Sequence, residues 1–207
     1  MNNRLTPMPD EISRALHPDA AKIRRSPASL AGGRVLWLTG LSGSGKSTLA
    51  GGLRRSLVAQ RIQAVVLDGD QLRTGLNSDL GFSAKDRTEN VRRTAEVACL
   101  FSQAGFVVIA SLISPLVAHR DAARRIVGDQ FFEIYVDARL EVCEARDPKG
   151  FYARARRGEI SEFTGVGSPY EKPVAPDLAI DTERLTPEQS IEILHHFALA
   201  SLRLSNA

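Results

Sequence analysis

Val35-Leu-Trp-Leu-Thr39 is a short apolar run that passes directly into Gly40-Leu41-Ser42-Gly43-Ser44-Gly45-Lys46-Ser47. Beyond it Leu49, Leu53, Leu57 and Val58 recur at helical spacing. That order reads as strand, glycine-rich loop, helix. The loop fits GxxxxGK[ST] at every position. Its glycines let the backbone wrap so that successive N–H groups point at phosphate oxygens. Lys46 then places a charge on the β- and γ-phosphates, and the Ser47 hydroxyl can hold Mg²⁺. The segment predicts a nucleoside triphosphate bound with magnesium. Motors and switch GTPases share such a loop. At about 170 residues the part beyond the N-terminal arm is too small for most motors, and no Asn-Lys-x-Asp guanine motif occurs. A small-molecule kinase is the reading left.

Outward from this segment, apolar runs alternate with amphipathic ones. AVVLD (64–68), FVVIAS (106–111), 131–136 and DLAID (177–181) read as strands. Helices are expected at 46–60, 84–104, from Pro115, at 139–145 and at 187–202. Ser83 with Asp86 three positions on resembles a capping box. Continuous apolar strands alternating with helices give a doubly wound parallel β-sheet of the P-loop NTPase type, an α/β fold with helices on both faces. In such a sheet the ligand site lies beyond the carboxyl ends of the strands.

The 207 residues carry a formal charge of +3. Six of the 27 basic and three of the 24 acidic residues fall in 1–34, so 35–207 hold 21 of each. Most of the basicity belongs to a proline-containing stretch, 1–33, expected to be a mobile arm whose deletion spares activity. The remainder, 34–207, is read as one domain. A nucleic-acid or membrane partner is therefore not expected. Two cysteines, Cys99 and Cys143, lack metal-site spacing and read as core fillers in a reducing, cytoplasmic compartment. No apolar run reaches the length of a membrane span, and the first residues lack the apolar centre of a signal peptide. His17, His119, His195 and His196 are assigned no catalytic part.

After the second strand comes Asp68-Gly-Asp70-Gln-Leu-Arg73, then Phe82 in a polar loop, then Asp86-Arg87-Thr-Glu89-Asn90-Val-Arg92-Arg93. A carboxylate at the sheet's carboxyl edge can orient a hydroxyl or hold Mg²⁺ through water. Arg87 and Asn90, three apart, can share one helix face. Phe82 has no obvious core to enter and could stack on a planar ligand. Arg146 and Lys149 flank Asp147-Pro148 and lead into an arginine-rich stretch, read as a cationic lid at about 146–165.

These segments together resemble the adenylylsulfate kinase (APS kinase) family. The likeness runs through TGLSGSGKST, LDGDQLRTGLNSDLGFSAKDRTENVRR, LISP, CEARDPKGFYARARRGEI and FTGVGSPYEKP, from about Arg34 to Leu199. It implies transfer of the γ-phosphate of ATP to the 3′-hydroxyl of adenosine 5′-phosphosulfate, with Mg²⁺ as the metal. ATP is then expected on Gly40, Leu41, Ser42, Gly43, Ser44, Gly45, Lys46, Ser47, Thr48 and Arg146, and the metal on Ser47. The acceptor is expected on Asp68, Asp70, Arg73, Phe82, Arg87, Asn90, Ile113, Ser114, Lys149 and Phe163, with Phe82 and Phe163 as an adenine sandwich. Lys46, Asp70 and Ser114 are the catalytic assignments, Asp70 as the group that aligns the 3′-hydroxyl. The family's serine at position 114 is described as a phosphoserine intermediate. Direct transfer needs no such step, and nothing nearby in sequence would activate that hydroxyl.

The resemblance also implies a homodimer and an association with ATP sulfurylase. Departures from the family are modest: Leu112 before Ile-Ser-Pro, LVAHRDAAR after it, Ala153 in the lid and Asp177 after Pro176. Two alternatives stand beside this reading. One is a gluconate- or shikimate-type kinase, which would need no aromatic sandwich. The other is a non-catalytic module docked on ATP sulfurylase, which would not need Lys46, Ser47, Asp70 and Arg87.

Overall fold

The computed structural model describes residues 33–203. The arm expected at 1–33 thus lies outside the described residues, apart from Gly33. Five strands form the sheet: β1 (Arg34–Thr39), β2 (Ala64–Asp68), β3 (Val107–Ser111), β4 (Phe131–Asp137) and β5 (Leu178–Asp181). All pair in parallel, in the order β2-β3-β1-β4-β5. The helices are α1 (Lys46–Ala59), α2 (Gly69–Leu72), α3 (Ala84–Gln103), α4 (Val117–Val127), α5 (Leu140–Arg146), α6 (Phe151–Arg156) and α7 (Pro187–Arg203).

β1 is central and buried at all six positions. Its alternation serves two cores. Leu36 and Leu38 join Leu49, Leu53 and Leu57 of α1 and Leu194 of α7 on one face. Val35 and Trp37 join Val91 and Ala95 of α3 and Ala123 of α4 on the other. A strand that is apolar on both faces therefore marks the middle of the sheet, and each such fully buried side chain stabilises the fold by about 1.5–3 kcal/mol. A third, smaller cluster of Ala138, Cys143, Tyr152, Ala155 and Phe163 sits under the lid.

The sequence-predicted elements are found with ends moved by one or two residues. Two short helices were not anticipated. Asp68 starts α2 by accepting from the backbone N–H of Asp70 (3.0 Å) and Gln71 (3.5 Å). α6 follows Gly150, which takes the left-handed turn (φ 66°) that brings the chain back on itself. Ser83 caps α3 through the Asp86 N–H at 3.2 Å, and its hydroxyl donates to the Asp86 carboxylate at 2.8 Å. Among the described residues no helix is long and apolar enough to cross a membrane.

Candidate active site

A parallel sheet delivers every strand's carboxyl end to one edge, and a cavity of about 1220 Å³ opens there. Its floor is the loop between β1 and α1. Gly43 (φ 77°) and Gly45 (φ 103°) take backbone angles that L side chains rarely adopt. A Cβ on Gly43 would lie 2.7 Å from the Cys143 carbonyl, so α5 packs against the loop's back. Ser42, Gly43, Ser44, Gly45, Lys46, Ser47 and Thr48 line the cavity. Gly40 and Leu41 stand behind, and their carbonyls accept from Lys46 Nζ at 2.9 and 2.6 Å. Burial pushes the Lys46 ammonium down to about 8, against the pull of Asp70 and Asp68.

The carboxylates reach the floor from β2. Asp68 Oδ2 accepts from the Ser47 hydroxyl at 2.7 Å. Asp70, two residues on in α2, forms an ion pair with Lys149. Asp68, Asp70 and Lys149 all line the cavity, with Ile113 from the β3–α4 connection. Arg146 hangs over the loop, donating to the Thr182 carbonyl (2.6 Å) and hydroxyl (3.2 Å).

The aromatic pair is drawn together by one guanidinium. Arg87 Nε donates to the Phe82 carbonyl at 2.9 Å. Its other two nitrogens donate to the Glu162 carbonyl at 2.6 Å and the Thr164 hydroxyl at 3.1 Å, on either side of Phe163. Phe82 and Phe163 therefore line the same cavity although 81 positions apart. Their settings differ. Phe82 is 58% exposed, with Arg73 and Arg87 lying over its ring at 4.5 and 5.9 Å. Phe163 is 7% exposed, edge-on to Tyr152 at 4.9 Å.

Besides Gly40 and Leu41, three expected residues are not among those lining the cavity. Arg73 donates to the Leu80 and Gly81 carbonyls (3.1 and 2.7 Å) and braces Phe82. Asn90 is buried and accepts from Asn77 Nδ2 at 3.0 Å. Ser114 is 3% exposed; its hydroxyl accepts from the Trp37 indole N–H at 3.1 Å, on the core side. It also holds a left-handed φ of 37°, a conformation that costs a non-glycine residue about 1–3 kcal/mol.

A buried network around Arg120, a residue of the LVAHRDAAR stretch, holds that turn in place. Arg120 donates to the Ser114 carbonyl (2.9 Å) and the Glu171 carbonyl (2.8 Å). Its Nε lies 2.6 Å from Glu133 Oε1, a close charge contact rather than an aligned hydrogen bond. The Thr39 hydroxyl donates to the Ile113 carbonyl at 2.7 Å and meets the Tyr170 hydroxyl at 3.0 Å. Thr182 is a residue that sequence reasoning missed: it accepts Arg146 and donates to the Ser44 carbonyl at 2.9 Å. Only its place just past β5, at the same sheet edge, could have signalled it.

The adenylylsulphate kinase family model matches residues 32–181, spanning the loop, the clasp and the lid. The chain belongs to the adenylylsulphate kinase family. It is 59% identical over 166 residues to the adenylyl-sulfate kinase of Paraburkholderia xenovorans, covering 80% of this chain and 93% of that relative. Among solved structures it is similar to the Mycobacterium tuberculosis APS kinase CysC in complex with AMPPNP and APS. There the TM-score is 0.77 and the identity 49%, with 82% of this chain and 98% of that one covered. It is also similar to the hexameric APS kinase from Thiobacillus denitrificans, at 29% identity and TM-score 0.61, covering 96% of this chain and 37% of that one.

Proposed function

We propose that this chain transfers the γ-phosphoryl group of ATP to the 3′-hydroxyl of adenosine 5′-phosphosulfate. The products are ADP and 3′-phosphoadenosine 5′-phosphosulfate. What carries the reading is the single cavity that joins a complete phosphate loop to two aromatics clasped by Arg87. A sugar or shikimate acceptor would leave those rings without a planar partner. The acceptor's 3′-oxygen attacks the γ-phosphorus in line, the bond to the β–γ bridging oxygen breaks, and ADP leaves. Asp70 takes the hydroxyl's hydrogen bond and its proton as the new bond forms. Lys46 and the loop amides hold the triphosphate, and Arg146 reaches it from above. Lys149 exchanges Asp70 for phosphate oxygen as the lid, 146–165, closes.

The residues present suit magnesium. Among the described residues no three His, Cys, Asp or Glu side chains converge as a metal site. A hard cation carried by the triphosphate would meet oxygen alone, from the Ser47 hydroxyl and the Asp68 carboxylate. When bound it offsets charge on the β- and γ-phosphates. Ser114, whose hydroxyl is taken by Trp37, serves the site through its backbone turn, and transfer is direct. The chain works in the cytoplasm as a homodimer, open to association with ATP sulfurylase; light scattering and co-purification check those points. ADP release from Mg-ATP, measured with and without adenosine 5′-phosphosulfate, tests the function. Release that requires the acceptor is the result expected. Folded protein that binds ATP yet shows no acceptor-dependent release would reject it.

A further inference from the structure

Ser111 ends β3 and is 3% exposed, yet its hydroxyl has no hydrogen-bond partner. An orphaned buried hydroxyl costs about 1–3 kcal/mol, so a hydroxyl kept there calls for an occupant. Ser111 lines the main cavity. Register fixes which way it faces. Ser111 is the direct partner of Leu38 on β1 and of Asp68 on β2. Register partners in parallel strands present side chains to the same face of the sheet. Leu38 packs with Leu49 and Leu53 of α1, so Ser111 and Asp68 face α1 as well. The first turn of α1 carries Ser47, whose hydroxyl already donates to Asp68 at 2.7 Å.

Two hydroxyls and one carboxylate thus converge where the triphosphate's metal would lie. We infer that Ser111 completes, with Ser47 and Asp68, the set of oxygens that receives the hydrated divalent cation, its hydroxyl oxygen accepting a hydrogen bond from a metal-bound water. This rests on the reading of ATP and Mg²⁺ as ligands of the site. A neutral hydroxyl suits the position. The phosphates and Asp68 already offset the cation's charge, and a second carboxylate on β3 would repel the triphosphate.

The test compares ATP binding by calorimetry with Mg²⁺ and with excess EDTA, for the wild type, Ser111→Ala and Ser111→Cys. The Cys variant, close in size but a poor hydrogen-bonding partner, guards against a packing defect. Both variants should lose about 5- to 20-fold in affinity for Mg-ATP and none for metal-free ATP. The Mg²⁺ concentration that half-saturates the ATP complex should rise by a similar factor. Ser190→Ala is the control. Ser190 is the other buried, unpartnered serine lining the cavity, but it sits on α7 and pairs with neither Asp68 nor Ser47. It should show no metal-selective loss.

The ligand-free Ser111→Ala protein should melt no lower than the wild type, because only an orphan group is removed. Equal losses with and without metal, no loss at all, a matching loss in Ser190→Ala, or a lower melting temperature without ligand would each overturn the inference. A wild type that binds ATP equally well with and without Mg²⁺ would instead overturn the underlying reading.

Discussion

The donor side of the cavity and the acceptor side are built by different means. The donor side is local: eight consecutive residues supply the strand end, the turn and the helix start. Its shape comes from glycine backbone angles and from Lys46 folding back on the Gly40 and Leu41 carbonyls. The acceptor side is assembled from segments some eighty positions apart, and its parts are held by guanidinium bonds to backbone carbonyls. A local site tolerates change around it but no change within it. An assembled site can be loosened from several places by degrees.

Substitutions measure that contrast. Lys46→Met on the donor side and Asp70→Asn at the junction should each lower kcat by about 10²–10⁴-fold, read as steady-state ADP release. A loss under tenfold at either position would break the division of labour. Arg87→Lys keeps the charge but not the three-way fork. It should raise KM for the acceptor by about 10- to 100-fold while moving KM for ATP less than threefold. Equal shifts in both constants would show that the two sides are not separate.

The two aromatics sharpen the comparison further. Phe163→Ala empties a buried site beside Tyr152 and should cost about 3 kcal/mol of stability in denaturant unfolding, as well as acceptor affinity. Phe82→Ala removes a half-exposed ring and should cost under about 1 kcal/mol, its effect confined to acceptor KM.

Smaller again is the pH response of the donor side. Burial pushes the Lys46 ammonium down to about 8, so before phosphate binds it is expected to lose its proton as pH rises through that value. Phosphate favours the charged form, so ATP binding takes up a proton above that pH. Affinity should be flat below about 8 and fall by up to about tenfold per unit above it. Calorimetry in two buffers of different ionisation enthalpy reads the proton directly. The smallest effect is expected from Ser114→Ala: it gives up one hydrogen bond from Trp37, and turnover should stay within a few-fold of wild type. Abolished turnover in folded protein would restore the covalent route.

The donor side was legible because each of its residues acts on a near neighbour in sequence. The sheet was legible for a related reason: a strand buried on both faces, such as Val35–Thr39, admits few other readings. Phe82 stood out by being a large apolar residue in polar surroundings. Ser114 misled. Its motif pointed to the site, whereas its side chain turns to Trp37, a partner 77 positions earlier that no spacing rule connects. How Arg120, Glu133 and Tyr170 come together was hidden for the same reason, although Arg120 and Tyr170 fall within the span that carries the family likeness: their partners become neighbours only after folding. The short helix α2 was encoded by the very carboxylate read as functional: Asp68 caps it while facing Ser47.

The Arg120–Glu133 contact has a consequence for inheritance. Arg120 is 3% exposed and Glu133 12%; removing Glu133 leaves a buried guanidinium without its carboxylate, and removing Arg120 leaves Glu133 only the more distant Arg124 at 3.8 Å, at a cost of up to about 3–5 kcal/mol, a large share of a domain's stability. Replacing both with apolar groups of similar volume would be far milder in charge terms, though it would free the Ser114 turn. In lineages that descend from this chain, the two positions are therefore tied. A change at one should persist only where the other, or the turn at 114, has changed with it.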